Sequence, residues 1–265
     1  MELERLLEWT SWRMEPIRPY SSTHFIIMAV IFAAAAGFGL LMSRKCRRTE
    51  RILFSFGIYL AAAEFYKQIF LTYVRGGSYS WSDFPFQLCS VPMYLCLLYP
   101  VFREKGKRII RDMLMTYNLI GGVAALLEPT SSFSSYWILT IHSLVWHGCL
   151  ICIGLYLVFE EKNKGKSGKI RIWIRDYIPV MGLYLFLAVT AVVLNALFRN
   201  ISAGTMNLFF LGPSYPDMII LNAVYEHAGW FTETVSMMGV TAAAGLGVYL
   251  SEQIWISRMR KKIVK

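Results

Sequence analysis

No polar stretch in this chain is long enough to fold as a soluble domain, and no internal repeat or low-complexity linker divides it. A single integral membrane domain over residues 1–265 is therefore expected, with an amphipathic segment at 1–23, a transmembrane bundle at 24–257 and a basic tail at 258–265. Acids are scarce, 17 against 27 Lys and Arg, for a formal charge of +10. Such a balance raises nucleic acid as a partner, but the basic residues lie in short loops between apolar runs, which is a membrane pattern and excludes it. The opening MELERLLEWTSW has no small-residue cleavage site and mixes acids with bases, so the N-terminus is read as mature. None of the five cysteines lies in a long soluble loop, which excludes a disulfide framework. Cys149 and Cys152 have redox spacing without the strand-to-helix junction that activates such a pair, and are read as packing.

What is present is apolar: 56% of residues, 15% aromatic, in runs too long for a soluble core. Seven membrane helices are expected, at about 24–42, 52–74, 84–102, 109–127, 136–159, 177–198 and 229–250. The fold class is an all-α polytopic membrane bundle. Residues 218–228 are read as a lead-in or re-entrant piece, since joining them to the last span makes it too long for an untilted helix. Twenty-one of the Lys and Arg fall in segments 43–51, 103–111, 160–175 and the tail from 258, and five in the segments between the opposite ends. By the positive-inside rule the N-terminus is outside and the C-terminus cytoplasmic, in a multi-pass protein of the cell membrane.

The remaining cation, Lys67, lies within a span, and ionisable groups there are functional candidates by default. Glu64 and Lys67 are one turn apart on the second helix, about 10–15 Å below the outer interface. Cys89, His142 and Glu233 fall in one layer with Lys67, and His147 with Glu64 about a turn deeper; Gln87 lies in the first turns of the third helix, Asn118 nearer the middle of the fourth, and Glu226 and His227 at the start of the last span. Their clustering at one end suggests a cavity open to the outer leaflet; structural ion pairing, Glu64 with Lys67 above all, is the alternative.

The stretch FPFQLCS, residues 84–90, begins the third run with a proline, a glutamine and a cysteine where a simple span needs none. Cys89 is either a small apolar filler or a nucleophile near a helix N-terminus, whose dipole favours thiolate. His142 and His147 are five residues apart, about 140° around a helix, so at most one is its base. Metal binding by His142, His147, Glu226 and His227 is disfavoured by spacing and by the lack of a zinc-peptidase motif; no metal and no cofactor is expected.

Four stretches resemble the YwaF-type bacterial integral membrane proteins, whose animal relatives include transmembrane protein 164. They are FPFQLCS, the helix from Asp112 to ALLEP at Pro129, WHGCLICIGLYLVF with His147 and Gly148, and the segment from LNALFRN to NLFFLGPSYP. They occur in matching order over most of the chain from about residue 50. The resemblance implies a compact helical membrane fold and, from the animal relatives, lipid acyltransferase activity at a membrane cysteine with a histidine partner. Cys89 matches that cysteine and His147 that histidine; many members carry a histidine near the position of Gln87.

The leading expectation is acyl transfer or hydrolysis on phospholipid or lysophospholipid. Cys89 would form a thioester, His147 or His142 would move the proton, and Gln87, Asn118 or Lys67 would bind the oxyanion or head group. A small-solute or ion-coupled carrier or receptor is the second, for which Pro85, Pro92 and Pro216 would break helices around a site.

Overall fold

The computed structural model describes residues 2–45, 48–128, 132–164, 174–212 and 219–263; Cys46, Pro129 and Pro216 lie outside them. In chain order the helices are α1 (Glu2–Thr10), α2 (Ser22–Lys45), α3 (Thr49–Val74), α4 (Val91–Leu98), α5 (Glu104–Met113), α6 (Leu119–Leu127), α7 (Trp137–Asn163), α8 (Ile174–Leu197) and α9 (Ile219–Ile263). Among the described residues, five stretches are long and apolar enough to cross a membrane: Ser22–Lys45, Glu104–Leu127, Trp137–Asn163, Ile174–Leu197 and Val224–Arg260. At 26 residues α3 equals them in length, though Glu64, Lys67 and Gln68 dilute its apolar character. The chain is a polytopic helical membrane bundle.

Burial ranks the helices from centre to rim. The most apolar window of Glu104–Leu127 is 56% buried against 11% for that of Ser22–Lys45, so the former stands inside and α2 faces lipid. Small residues set the closest approaches, as expected where van der Waals packing drives association. A Cβ on Gly39 would lie 3.0 Å from the Tyr156 backbone nitrogen of α7. One on Gly57 would lie 2.7 Å from that of Leu97 in α4.

Three departures from straight helices matter. Between α5 and α6 the chain makes one π turn, Leu114–Asn118, with all five residues buried. The wider turn leaves Asn118 bonded back to the Leu114 carbonyl at 3.0 Å and across to the Leu150 carbonyl of α7 at 2.8 Å. In α9, Gly229 adopts φ 76, ψ 169 and divides a lead-in helix from the long span, a conformation open to glycine and few others. That break separates residues 219–228 from the last span, as its length demands.

The third departure is the run expected as a helix over 84–102. Regular helix begins only at Val91 and, with a closing tight turn, ends at Val101; eleven residues rise about 16 Å, half the hydrocarbon thickness. Prolines explain the shortening. Phe84, before Pro85, is extended at φ −54, ψ 127, and Pro92 occupies the first turn, so the helix starts there and not at Pro85.

The two ends of the bundle differ. At the basic end Arg111 pairs with Glu160 and Glu161, Arg260 with Glu161, and Lys107 with Glu50, tying α3, α5, α7 and α9. At the opposite end α1 and the segment after it fold onto α3 and α7: Tyr66 donates to Thr10 Oγ1 at 2.6 Å, and Arg13 bridges to Tyr136. Aromatic rings gather there, with Trp9 and Trp12 against Trp137 and Phe70 against Tyr136. This belt marks one membrane interface and the basic cluster the other.

Candidate functional site

Non-helical backbone at membrane depth is tolerated only where protein satisfies it. Residues 84–90 are such a segment. Tyr94 donates to the Pro85 carbonyl at 2.8 Å, the Gln87 carbonyl accepts from Ser90 N at 2.8 Å, and Trp146 Nε1 donates to the Cys89 carbonyl at 3.1 Å. Cys89 therefore sits on a turn two residues before α4, at the positive end of that helix, and its carbonyl is held by α7. Its thiol is partly buried and free.

The same face of α7 carries His142, whose ring stacks on Trp146 with centroids 5.5 Å apart and 25° between planes. His142 Nε2 is buried with no hydrogen-bond partner among the described residues. On α3, Lys67 pairs with Glu64 at 2.8 Å, and Gln68 Nε2 donates to the same Glu64 oxygen at 2.6 Å and to the Asp83 carbonyl at 2.7 Å. The ion pair lies within electrostatic reach of the Cys89 thiol, and Lys67 of both histidines. His147 Nδ1 meets the Ser143 carbonyl at 2.8 Å; a carbonyl only accepts, so Nδ1 carries the proton and Nε2 the lone pair. Among the described residues no hydrogen bond joins Cys89 Sγ to either ring.

From the loop after α3, Tyr79 completes this end. Burial first, then the carboxylates of Asp83 and Glu64, push its phenol above the ordinary value, so it stays a neutral hydroxyl. Arg75 pairs with Asp83 beside it.

The structure thus links Glu64, Lys67, Cys89 and His142 from three elements; His147 lies within electrostatic reach of His142 and Lys67, no contact among the described residues ties it to Cys89, and the remaining candidates serve other contacts. Asn118 is the buried tie between the π turn and α7 already described. Gln87 clamps a neighbouring loop: Nε2 donates to the Asn207 carbonyl at 2.9 Å, and Oε1 accepts from Phe209 N at 2.7 Å. Asn195 of α8 grips Leu208 in the same two-sided way. The loop needs both, since Phe209 and Phe210 stand at φ 57 and 58, left-handed positions that cost bulky residues about 1–3 kcal/mol each. Gln87→Ala is accordingly expected to lower stability by about 1–3 kcal/mol by stranding backbone groups. Thermal unfolding in detergent reads it, and a change below about 0.5 kcal/mol, as at an indifferent surface site, would refute the clamp.

Glu233 is buried on α9 with Thr234, at 3.4 Å, as its one hydrogen-bond partner among the described residues; Glu226 and His227 are exposed at the end of the lead-in helix. Among the described residues no group of three or more His, Cys, Asp or Glu side chains is arranged to hold a metal ion. Sequence reasoning missed Trp146, four residues after His142, and Gln68, four residues after Glu64; the helical i,i+4 step was the available signal in both cases.

No curated protein and no solved structure matches the chain. A family model does, over residues 19–243, which takes in the described elements from α2 to the first half of α9: the chain belongs to the TMEM164 family.

Proposed function

We propose that this protein transfers or hydrolyses acyl groups of phospholipids or lysophospholipids in the cell membrane through a thioester on Cys89. The observation that supports it most is the turn at 84–90. A cysteine that only filled space in a span would sit inside a helix; here it lies in a turn outside one, its carbonyl held by the Trp146 on which His142 stacks and its thiol within electrostatic reach of the Glu64–Lys67 pair.

In the proposed cycle a histidine, His147 or His142, takes the thiol proton. The thiolate attacks the ester carbonyl, the C–O bond to the glycerol breaks, and the imidazolium returns the proton to the leaving alkoxide. A second alcohol, or water, then reverses these steps to release the acyl group. Lys67, held by Glu64, is the cation available to a phosphate head group or developing oxyanion. Gln87 and Asn118 fit such a role less well, because their amides are engaged by backbone.

The test is an electrophilic acyl probe on the protein in lipid, with the adduct located by mass spectrometry. Cys89 is expected to carry it, and Cys89→Ala to abolish it with the fold retained. Labelling of Cys89 no faster than of buried Cys96 or of Cys152 would end the thioester reading.

A second reading, a solute or ion-coupled carrier or receptor, is supported by the broken helix at Gly229 and the sparsely partnered Glu233 beyond it. It predicts tolerance of Cys89→Ala with loss of transport in Glu64 and Lys67 variants.

A further inference from the structure

A helix of nine residues at the rim of the bundle has three environments to satisfy. On α1, Leu7 and Thr10 face the protein and are buried, at 3% and 4% exposure. Arg5 and Glu8 lie across the helix and Glu4 on the flank beside Leu7, all three exposed. On the remaining side a stripe that opens with Glu2 carries Leu6 and Trp9, with Leu3 in the first turn and Trp12 just beyond the helix. These four apolar residues are 44% to 70% exposed. Neither the core nor water accounts for that strip.

The position of the helix is set by contacts with spans. Thr10 accepts from Tyr66 of α3, Met14 N bonds the Ser135 carbonyl at 2.8 Å, and Trp9 and Trp12 flank Trp137, the first residue of α7. These tie α1 to the level where α7 enters the membrane, the level at which indole rings are favoured. We propose that α1 with Trp12 is an interfacial anchor lying in the membrane plane, with Leu3, Leu6, Trp9 and Trp12 set into the lipid boundary on the side away from the basic cluster. Its partner is the bilayer surface itself. With Glu2, Glu4 and Glu8 against Arg5, the helix gains nothing from anionic head groups, so insertion is driven by apolar area and does not require charged lipid.

The whole chain reconstituted in phosphatidylcholine vesicles tests this. The fluorescence contributed by Trp9 and Trp12 is isolated by comparing the protein with a W9F/W12F variant. That component is expected to be quenched by lipid brominated near the head of its acyl chains and shielded from aqueous iodide. The result should be unchanged between low and high salt. Leu6→Asp, which leaves Leu7 and Thr10 in place, is expected to shift the component red and open it to iodide. Quenching by iodide and not by bromolipid would overturn the proposal in favour of a water-exposed helix. Shielding from both quenchers would overturn it in favour of a protein contact, from a second copy or another chain.

Discussion

Glu161→Ala is expected to destabilise the protein by about 3–5 kcal/mol, the range for removing one partner from a buried ion pair. Glu161 has a side chain 8% exposed and serves three cations: Oε1 meets Arg260 at 3.1 Å, and Oε2 meets Lys164 at 2.8 Å and Arg111 at 3.2 Å. Arg260 is itself 6% exposed and cannot turn to water when the carboxylate goes, whereas Arg111, 11% exposed, keeps Glu160 of α7 as a partner. The loss therefore falls mainly on Arg260 and loosens α9 from α7. Unfolding in detergent measures it, with Glu104→Ala, at a 93% exposed side chain, as the control expected below about 1 kcal/mol. If the two variants match, the network is ornamental. A double change of Glu161 and Arg260 to leucine is expected to recover part of the loss, since apolar replacements of similar volume often equal or exceed a buried pair.

That network also shows what local sequence could and could not say. Helices α2, α3, α7 and α8 are legible in their apolar runs within a few residues. Yet α7 continues to Asn163, past Glu160 and Glu161, where charge reads as loop. It stays helical because cations from α5 and α9, far away in sequence, neutralise those acids. Run length misled differently at 84–102. An apolar stretch is compatible with a buried turn as well as a helix, and only Pro85 and Pro92 distinguished them. The π turn at 114–118 left no sequence sign. Within the candidate site, the Glu64–Lys67 pair followed from spacing and the separation of the histidines from helical geometry. Trp146 as the grip on Cys89 depended on how α7 packs against the turn before α4, which one helix's sequence does not encode. Gln87 had the right address and a different occupation, since a glutamine beside a candidate nucleophile looks the same whether it serves substrate or backbone.

Under the thioester reading, His147→Ala is expected to slow acyl-probe labelling of Cys89 by about 10²–10⁴-fold at neutral pH, the usual worth of a positioned base. The Ser143 carbonyl fixes the tautomer from within its own helix, so Nε2 presents a lone pair without help from a neighbour. In the proposed cycle the His147 Nε2 must come within hydrogen-bond reach of the Cys89 thiol to take its proton. Alkaline pH should then rescue His147→Ala, since a thiol that ionises unaided needs no base. His142 fills a different place: stacked on Trp146, it holds the residue that holds Cys89. His142→Ala is expected to reduce labelling less and to leave the shape of its pH profile unchanged, as is Trp146→Phe, which keeps the stack and deletes the hydrogen bond to the Cys89 carbonyl. An inverted result, with alkaline rescue in His142→Ala and a parallel loss in His147→Ala, would assign the base to His142. Neither variant showing rescue would leave Cys89 without a histidine base and remove the proton-transfer half of the proposed mechanism.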